Sequence, residues 1–116
     1  MSRYTALHDW ATPLPGSRWR VARPVRWEIG REGSGLWLVV PVGYVFDVSV
    51  PWWLGWAVDP RDARYLKAAA LHDRALDDGW DRVSAAAVFA DALKADGVGR
   101  TLRLAMTIAV IAWNFE

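Results

Sequence analysis

Midway along the chain the spacing of its large apolar residues changes period, and that change limits the architecture more than any other feature. Between Arg18 and Asp47 the residues alternate. Trp19, Val21, Val25, Trp27 and Ile29 fall on one side, with Arg18, Arg20, Arg26 and Glu28 on the other. A two-residue period puts one set on each face of a half-buried strand. Pro24 interrupts it, so the stretch reads as one broken strand or two short ones. GREGSG at 30–35 reads as a hairpin connection, LWLVV at 36–40 as the returning strand, and YVF at 44–46 as a further short strand ending at Asp47.

Beyond residue 50 the pattern turns helical. Pro51 suits a first helical turn, and Trp52, Trp53 and Trp56 share a helix face in a short helix or turn that ends near Asp59 and Pro60. Residues 61–78 favour helix, with Gly79 as its stop. Asp81 is a good N-cap for a helix over 82–95 that ends at Gly97, and a last helix runs from about 100 to 114. Strands first and helices afterwards predict an α+β fold, a small antiparallel sheet packed against three to four helices. At 116 residues this is one domain, with an arm and a Pro/Gly loop over 1–17, the sheet over 18–47 and the helical part over 51–115.

Composition removes several functional classes. A charge of +1 supplies no field for nucleic acid or anionic lipid, although residues 1–46 carry six Arg against three acids. Without cysteine there is no disulfide framework, thiolate nucleophile or Cys-based zinc site. The N-terminus lacks the basic-then-apolar order of a signal peptide. The longest apolar run, 104–115, is about a dozen residues where a span needs roughly 20, so it reads as a buried helix and no membrane span is expected.

Nine tryptophans are unusual in a chain of this size. Large rings can supply area to a small core, or they can form a partner-facing surface, and Trp52, Trp53 and Trp56 with Ser49 are the candidate binding residues. RWRVARPVRW at 18–27 interleaves arginine with tryptophan. A solvated strand face with inward rings explains it more simply than a single-stranded nucleic-acid groove on Arg18, Arg20, Arg23 and Arg26.

The only histidines, His8 and His72, both occur in the tetrapeptide ALHD. The first copy runs into a proline loop and the second lies within the 61–78 helix, so a shared structure is not expected. On that helix Leu66, Ala69, Ala70, Asp73 and Leu76 form the apolar row with His72 at its edge, opposite Arg64, Lys67, Arg74 and Asp78. A carboxylate on the buried row needs a partner. Asp47, at the end of a strand, is the candidate. Asp47, His72 and Asp73 could form a catalytic or divalent-metal site, or a structural network in which His72 bonds to backbone and the acids cap loops and helix ends. No Gly-rich phosphate loop and no G-x-S-x-G elbow is present.

VPVGYVFDVSVP at 40–51 followed by AAALHD at 68–73 resembles the hallmark of a phage and prophage family, domain of unknown function 1353. Its pattern is V-P-x-G-F-x-T-D-x-A-S-x-P and then A-A-x-x-H-D. The resemblance covers roughly 18–113. Pro41, Gly43, Asp47, Ser49, Pro51, His72 and Asp73 match, with Tyr44 in the usual Phe position. Phe46 stands where the family has Thr, the stretch from Asp47 to Pro51 is one residue short, and Ala86 stands where Asp is usual. If that Asp joins a shared cluster, one ligand is missing, although Asp91 lies about a turn further on.

The resemblance implies a phage- or prophage-encoded protein made in the host cytoplasm, with or without later association with the virion. The expected function is a small interaction protein without catalytic activity, either a minor virion or tail component or an accessory factor that binds a host protein. It needs no cofactor and is compatible with a homo-oligomer. The alternative is a metal-dependent hydrolase, directed at cell wall, that uses Asp47, His72 and Asp73.

Overall fold

The computed structural model describes residues 9–30, 33–48 and 63–113. The α+β expectation holds, with antiparallel strands in the N-terminal half and three helices, α1 (Ala63–Asp77), α2 (Arg82–Ala95) and α3 (Arg100–Trp113), in the C-terminal half. The segment 51–60, where a fourth helix was expected, lies outside the described residues.

The strands divide into two sheets. β1 (Ala11–Pro13), β2 (Arg18–Val21) and β5 (Val45–Asp47) form one in the order β1-β2-β5, and β3 (Val25–Glu28) pairs with β4 (Trp37–Val40) in the other. β1 falls in the stretch read as a Pro/Gly loop. It pairs with β2 in register, Ala11 opposite Val21 and Pro13 opposite Trp19, because a proline is tolerated on an edge strand. The broken strand of the sequence is two strands in different sheets. Between them the N–H groups of Ala22 and Arg23 both donate to the Trp10 carbonyl, and Pro24 has no donor to continue a ladder.

The hairpin expected at 30–35 is present, with Val25 opposite Val40 and Trp27 opposite Leu38. Inside this turn the Glu28 carboxylate accepts from the N–H groups of Gly33 and Gly35. A second turn, 41–44, moves the chain from β4 to β5 and so from one sheet to the other. The Tyr44 N–H donates to the Pro41 carbonyl, and Gly43 holds φ 89°, as the third position of a type II turn requires.

The helix ends follow their sequence signals. Asp81 caps α2 through the Ser84 N–H and hydroxyl, and the Ser84 hydroxyl bond is the main reason its carboxyl lies below the usual range. Gly79 closes α1, its N–H donating to Leu76 O while Trp80 N–H reaches Ala75 O. Gly97 and Val98 close α2 in the same way on Lys94 and Leu93.

α1 is the centre of the molecule. It touches β3, β4 and β5 and packs along α2, which in turn carries α3. From Tyr65 to His72 every residue is buried, so this half of the helix has no solvent face. Lys67, placed by helical periodicity on the exposed side, is fully buried instead. The reading failed because it assumed a helix with one covered face, whereas α1 is covered all round from Tyr65 to His72.

The core also takes Trp10, stacked on Phe46 at 5.6 Å, and Trp27, whereas Trp37 stays 48% exposed on β4. The last apolar run is only partly buried. Met106 and Ala109 pack inward, but Leu104 and Ile108 are exposed. No helix among the described residues is long and apolar enough to cross a membrane.

Candidate functional site

The two halves of the hallmark meet, through a bond that residue spacing does not suggest. Asp73 leaves α1 at the first position beyond its wholly buried stretch, and its side chain is 28% exposed. Its Oδ2 accepts from the backbone N–H of Asp47 at 3.0 Å. β5 is an edge strand of its sheet, so this carboxylate satisfies an edge N–H that β2 does not take. The Asp47 side chain points elsewhere, its Oδ1 accepting from the Ser17 hydroxyl at 2.6 Å. Asp47 and Asp73 are therefore joined as backbone donor and carboxylate acceptor.

His72 faces another way. One residue along a helix is a rotation of about 100°, and this carries the ring into the core against Phe89 of α2. The two rings meet edge to face with centroids 5.7 Å apart. Its Nδ1 is 3.7 Å from Asp73 Oδ1, an ion pair only when the ring is protonated. Ala86, at the position where the resemblance expects Asp, is buried on α2, and Asp91 is half-buried on the same helix.

An open cleft of about 370 Å³ lies beside this junction, lined by Arg18, Tyr44, Val45, Phe46, Asp47, Asp73, Leu76 and Asp77. His72 is not among its walls. Its lining includes Asp77, which sequence reasoning did not single out, and Tyr44, which it noted only as standing in the usual Phe position; the Tyr44 hydroxyl donates to Asp77 Oδ2 at 2.5 Å. Burial raises the Tyr44 phenol well above its ordinary value, and the Asp77 bond adds to the effect by favouring the protonated form. The Arg74 guanidinium lies 5.6 Å from the centre of the same ring, and its Nε is 3.2 Å from Asp78 Oδ1. A signal for Asp77 was available, since Asp73, Leu76 and Asp77 stand three and four apart on one ridge of α1.

Chemically the cleft offers three carboxylates, a phenol and a guanidinium on an open surface. Among the described residues no three His, Asp or Glu side chains are placed to hold a metal ion. The proposed ligands Asp47, His72 and Asp73 share a neighbourhood but do not converge: one faces Ser17, one faces Phe89 and one holds the β5 backbone. Ser49, Trp52, Trp53 and Trp56 lie outside the described residues, as does His8. Arg18, Arg20, Arg23 and Arg26 are all exposed, two on β2, one between the strands and one on β3 of the other sheet, while Trp27 turns inward.

A second polar assembly was not anticipated. Lys67 Nζ lies 3.0 and 2.8 Å from the two carboxylate oxygens of Asp96, with neither side chain exposed, and 5.4 Å from the centre of the Trp27 ring. It links β3, α1 and the α2–α3 turn. Nothing in the sequence pairs two residues so far apart.

Comparison with known proteins gives one family. Residues 19–110 match the model described as "Protein of unknown function (DUF1353)". No curated protein and no solved structure is matched.

Proposed function

The chain belongs to the DUF1353 family, and we propose that it is a phage- or prophage-encoded protein that works by binding another protein rather than by catalysis. Its place is that of a minor virion or tail component, or of an accessory factor acting on a host protein. The observation that carries the non-catalytic part is the use made of the hallmark residues. Asp73 ties α1 to the edge of β5 and His72 packs on Phe89, so both serve the fold, and the His72 ring, 3.7 Å from Asp73 Oδ1, is buried and is not among the walls of the cleft. The provenance rests on the resemblance of residues 40–51 and 68–73. The binding part rests on the outer face of β4, where Trp37 and Val39 are exposed while Leu38 and Val40 alternate inward, with Leu36 exposed just before the strand. Apolar side chains exposed side by side on one strand face mark a contact surface.

The hydrolase reading draws on one observation, the exposure of Asp47 and Asp73 in the same open cleft. Two substitutions separate the readings in a phage whose own copy is deleted and supplied in trans. Trp37→Glu is expected to keep the fold by circular dichroism and to lower phage yield, while Asp47→Asn leaves the yield unchanged. The opposite pattern, accompanied by a rise in thermal stability with added zinc, manganese or magnesium, would replace binding by metal-dependent hydrolysis.

A further inference from the structure

α3 is the outermost helix, held on one side by α2. Met106 and Ala109 are buried on that side, with Leu102, Ala105 and Val110 packed around them. The opposite side carries a second ordered row. Thr101, Leu104, Ile108 and Ile111 recur at spacings of three, four and three, the pattern of a helix–helix seam. Leu104 is 59% exposed and Ile108 54%, Thr101 is exposed and Ile111 half-buried, so the seam has no partner within the described chain.

The charges on α3 indicate what covers it. Its cations, Arg100 and Arg103, both lie in the first turn, where Arg103 donates to the Val98 carbonyl at 3.2 Å and Arg100 is exposed, and its last turn has no base. Cations at a helix N-terminus oppose the helix's own dipole, whereas cations beside a helix C-terminus are favoured. A second α3 running antiparallel places each Arg100 beside the carbonyl end of the other copy, and it also brings Leu104 of each chain against Ile108 of the other. A parallel arrangement would stack arginine on arginine. We therefore infer that this protein forms a two-fold symmetric homodimer through an antiparallel pair of α3 helices, with the axis at the level of Met106. A helix of 14 residues is only about 21 Å long, so this seam covers less than the roughly 800 Å² per partner of a stable complex. The dimer is accordingly weak.

The inference stands apart from the binding surface proposed above, because Trp37 is on β4 and its phenotype does not depend on α3. Sedimentation equilibrium of the full chain tests it. The mass is expected to rise with concentration from that of one 13.0 kDa chain toward twice that value. Leu104→Lys and Ile108→Lys, both at exposed positions that leave the fold intact by circular dichroism, are each expected to weaken the dimer by about tenfold or more. The chain has no cysteine, so orientation can be trapped directly. A mixture of Leu104→Cys and Ile108→Cys proteins in a glutathione buffer is expected to give the mixed disulfide over either homodimer. A chain that stays monomeric to about 1 mM, a dimer indifferent to both lysines, or a preference for the Leu104→Cys homodimer would each overturn the inference.

Discussion

Two polar assemblies hang from α1 and differ in almost every physical respect. Lys67 and Asp96 face each other in a dry interior under the Trp27 ring. Asp73, Asp47, Tyr44 and Asp77 gather at the edge of an open cleft. The buried pair carries high stakes. Removing two charges from water is expensive, their mutual attraction only about repays it, and losing one partner leaves the other stranded. The cleft is a set of cheap contacts in which water can replace most partners. Its one bond of structural weight is the one that ends in backbone, between Asp73 and the Asp47 N–H. A visible motif and an energetically important contact are thus different things in this molecule.

The sharpest way to break that contrast is Lys67→Met. It strands the Asp96 carboxylate in the core and is expected to lower stability by about 3–5 kcal/mol in urea denaturation. Adding Asp96→Leu should return most of that loss, because two apolar groups of similar size can replace a buried pair. If Lys67→Met alone costs nothing, the pair is not in a dry interior and the contrast collapses.

A smaller effect is expected at the cleft. Asp73→Ala leaves the exposed Asp47 N–H to water in place of its acceptor and should cost about 0.5–1.5 kcal/mol. Asp73→Asn, which keeps a carbonyl oxygen in place, should lose less. Asp47→Asn should lie within about 0.5 kcal/mol of the parent, since its side chain is exposed. Equal losses for Asp47→Asn and Asp73→Ala would mean that the two carboxylates act as a unit.

The smallest effect is alkaline. Burial pushes the Tyr65 phenol up to about 12, with Asp73 and Asp47 adding to it, and Tyr44 moves in the same direction. Below the unfolded value near 10 the phenols are protonated in both states and stability is unaffected. Above it the unfolded chain loses protons that the folded chain retains, so stability falls as pH rises from about 10 toward the folded values. Tyr65→Phe should flatten that decline in denaturation curves measured across this range. An unchanged slope would place the ring in contact with solvent.

How much of this could be read from residues alone depends on the range of the interaction. The stops at Gly79 and Gly97 and the cap at Asp81 are local chemistry, and α2 lies where its signals put it. Pro24 was visible as an interruption, but whether the chain resumes in the same sheet or another depends on the Trp10 carbonyl, which is far away in sequence. At the cleft, the pairing of the segment around Asp47 with the helix carrying Asp73 was legible as a motif. Its bond was not, because residue types describe side chains and the donor is main chain. Lys67 failed for a different reason: periodicity shows which residues share a face, but not how many faces are covered.

That last point governs how the molecule opens. From Tyr65 to His72 the backbone of α1 is enclosed by strands from both sheets and by α2, whereas α3 has a single neighbouring helix as its main support. Solvent can reach the amides of α3 through a local detachment. It can reach those beside Lys67 only when both sheets and α2 have come away together. Amide hydrogens in this part of α1 will therefore exchange only by whole-molecule unfolding, and their exchange rate will report the global stability of the chain.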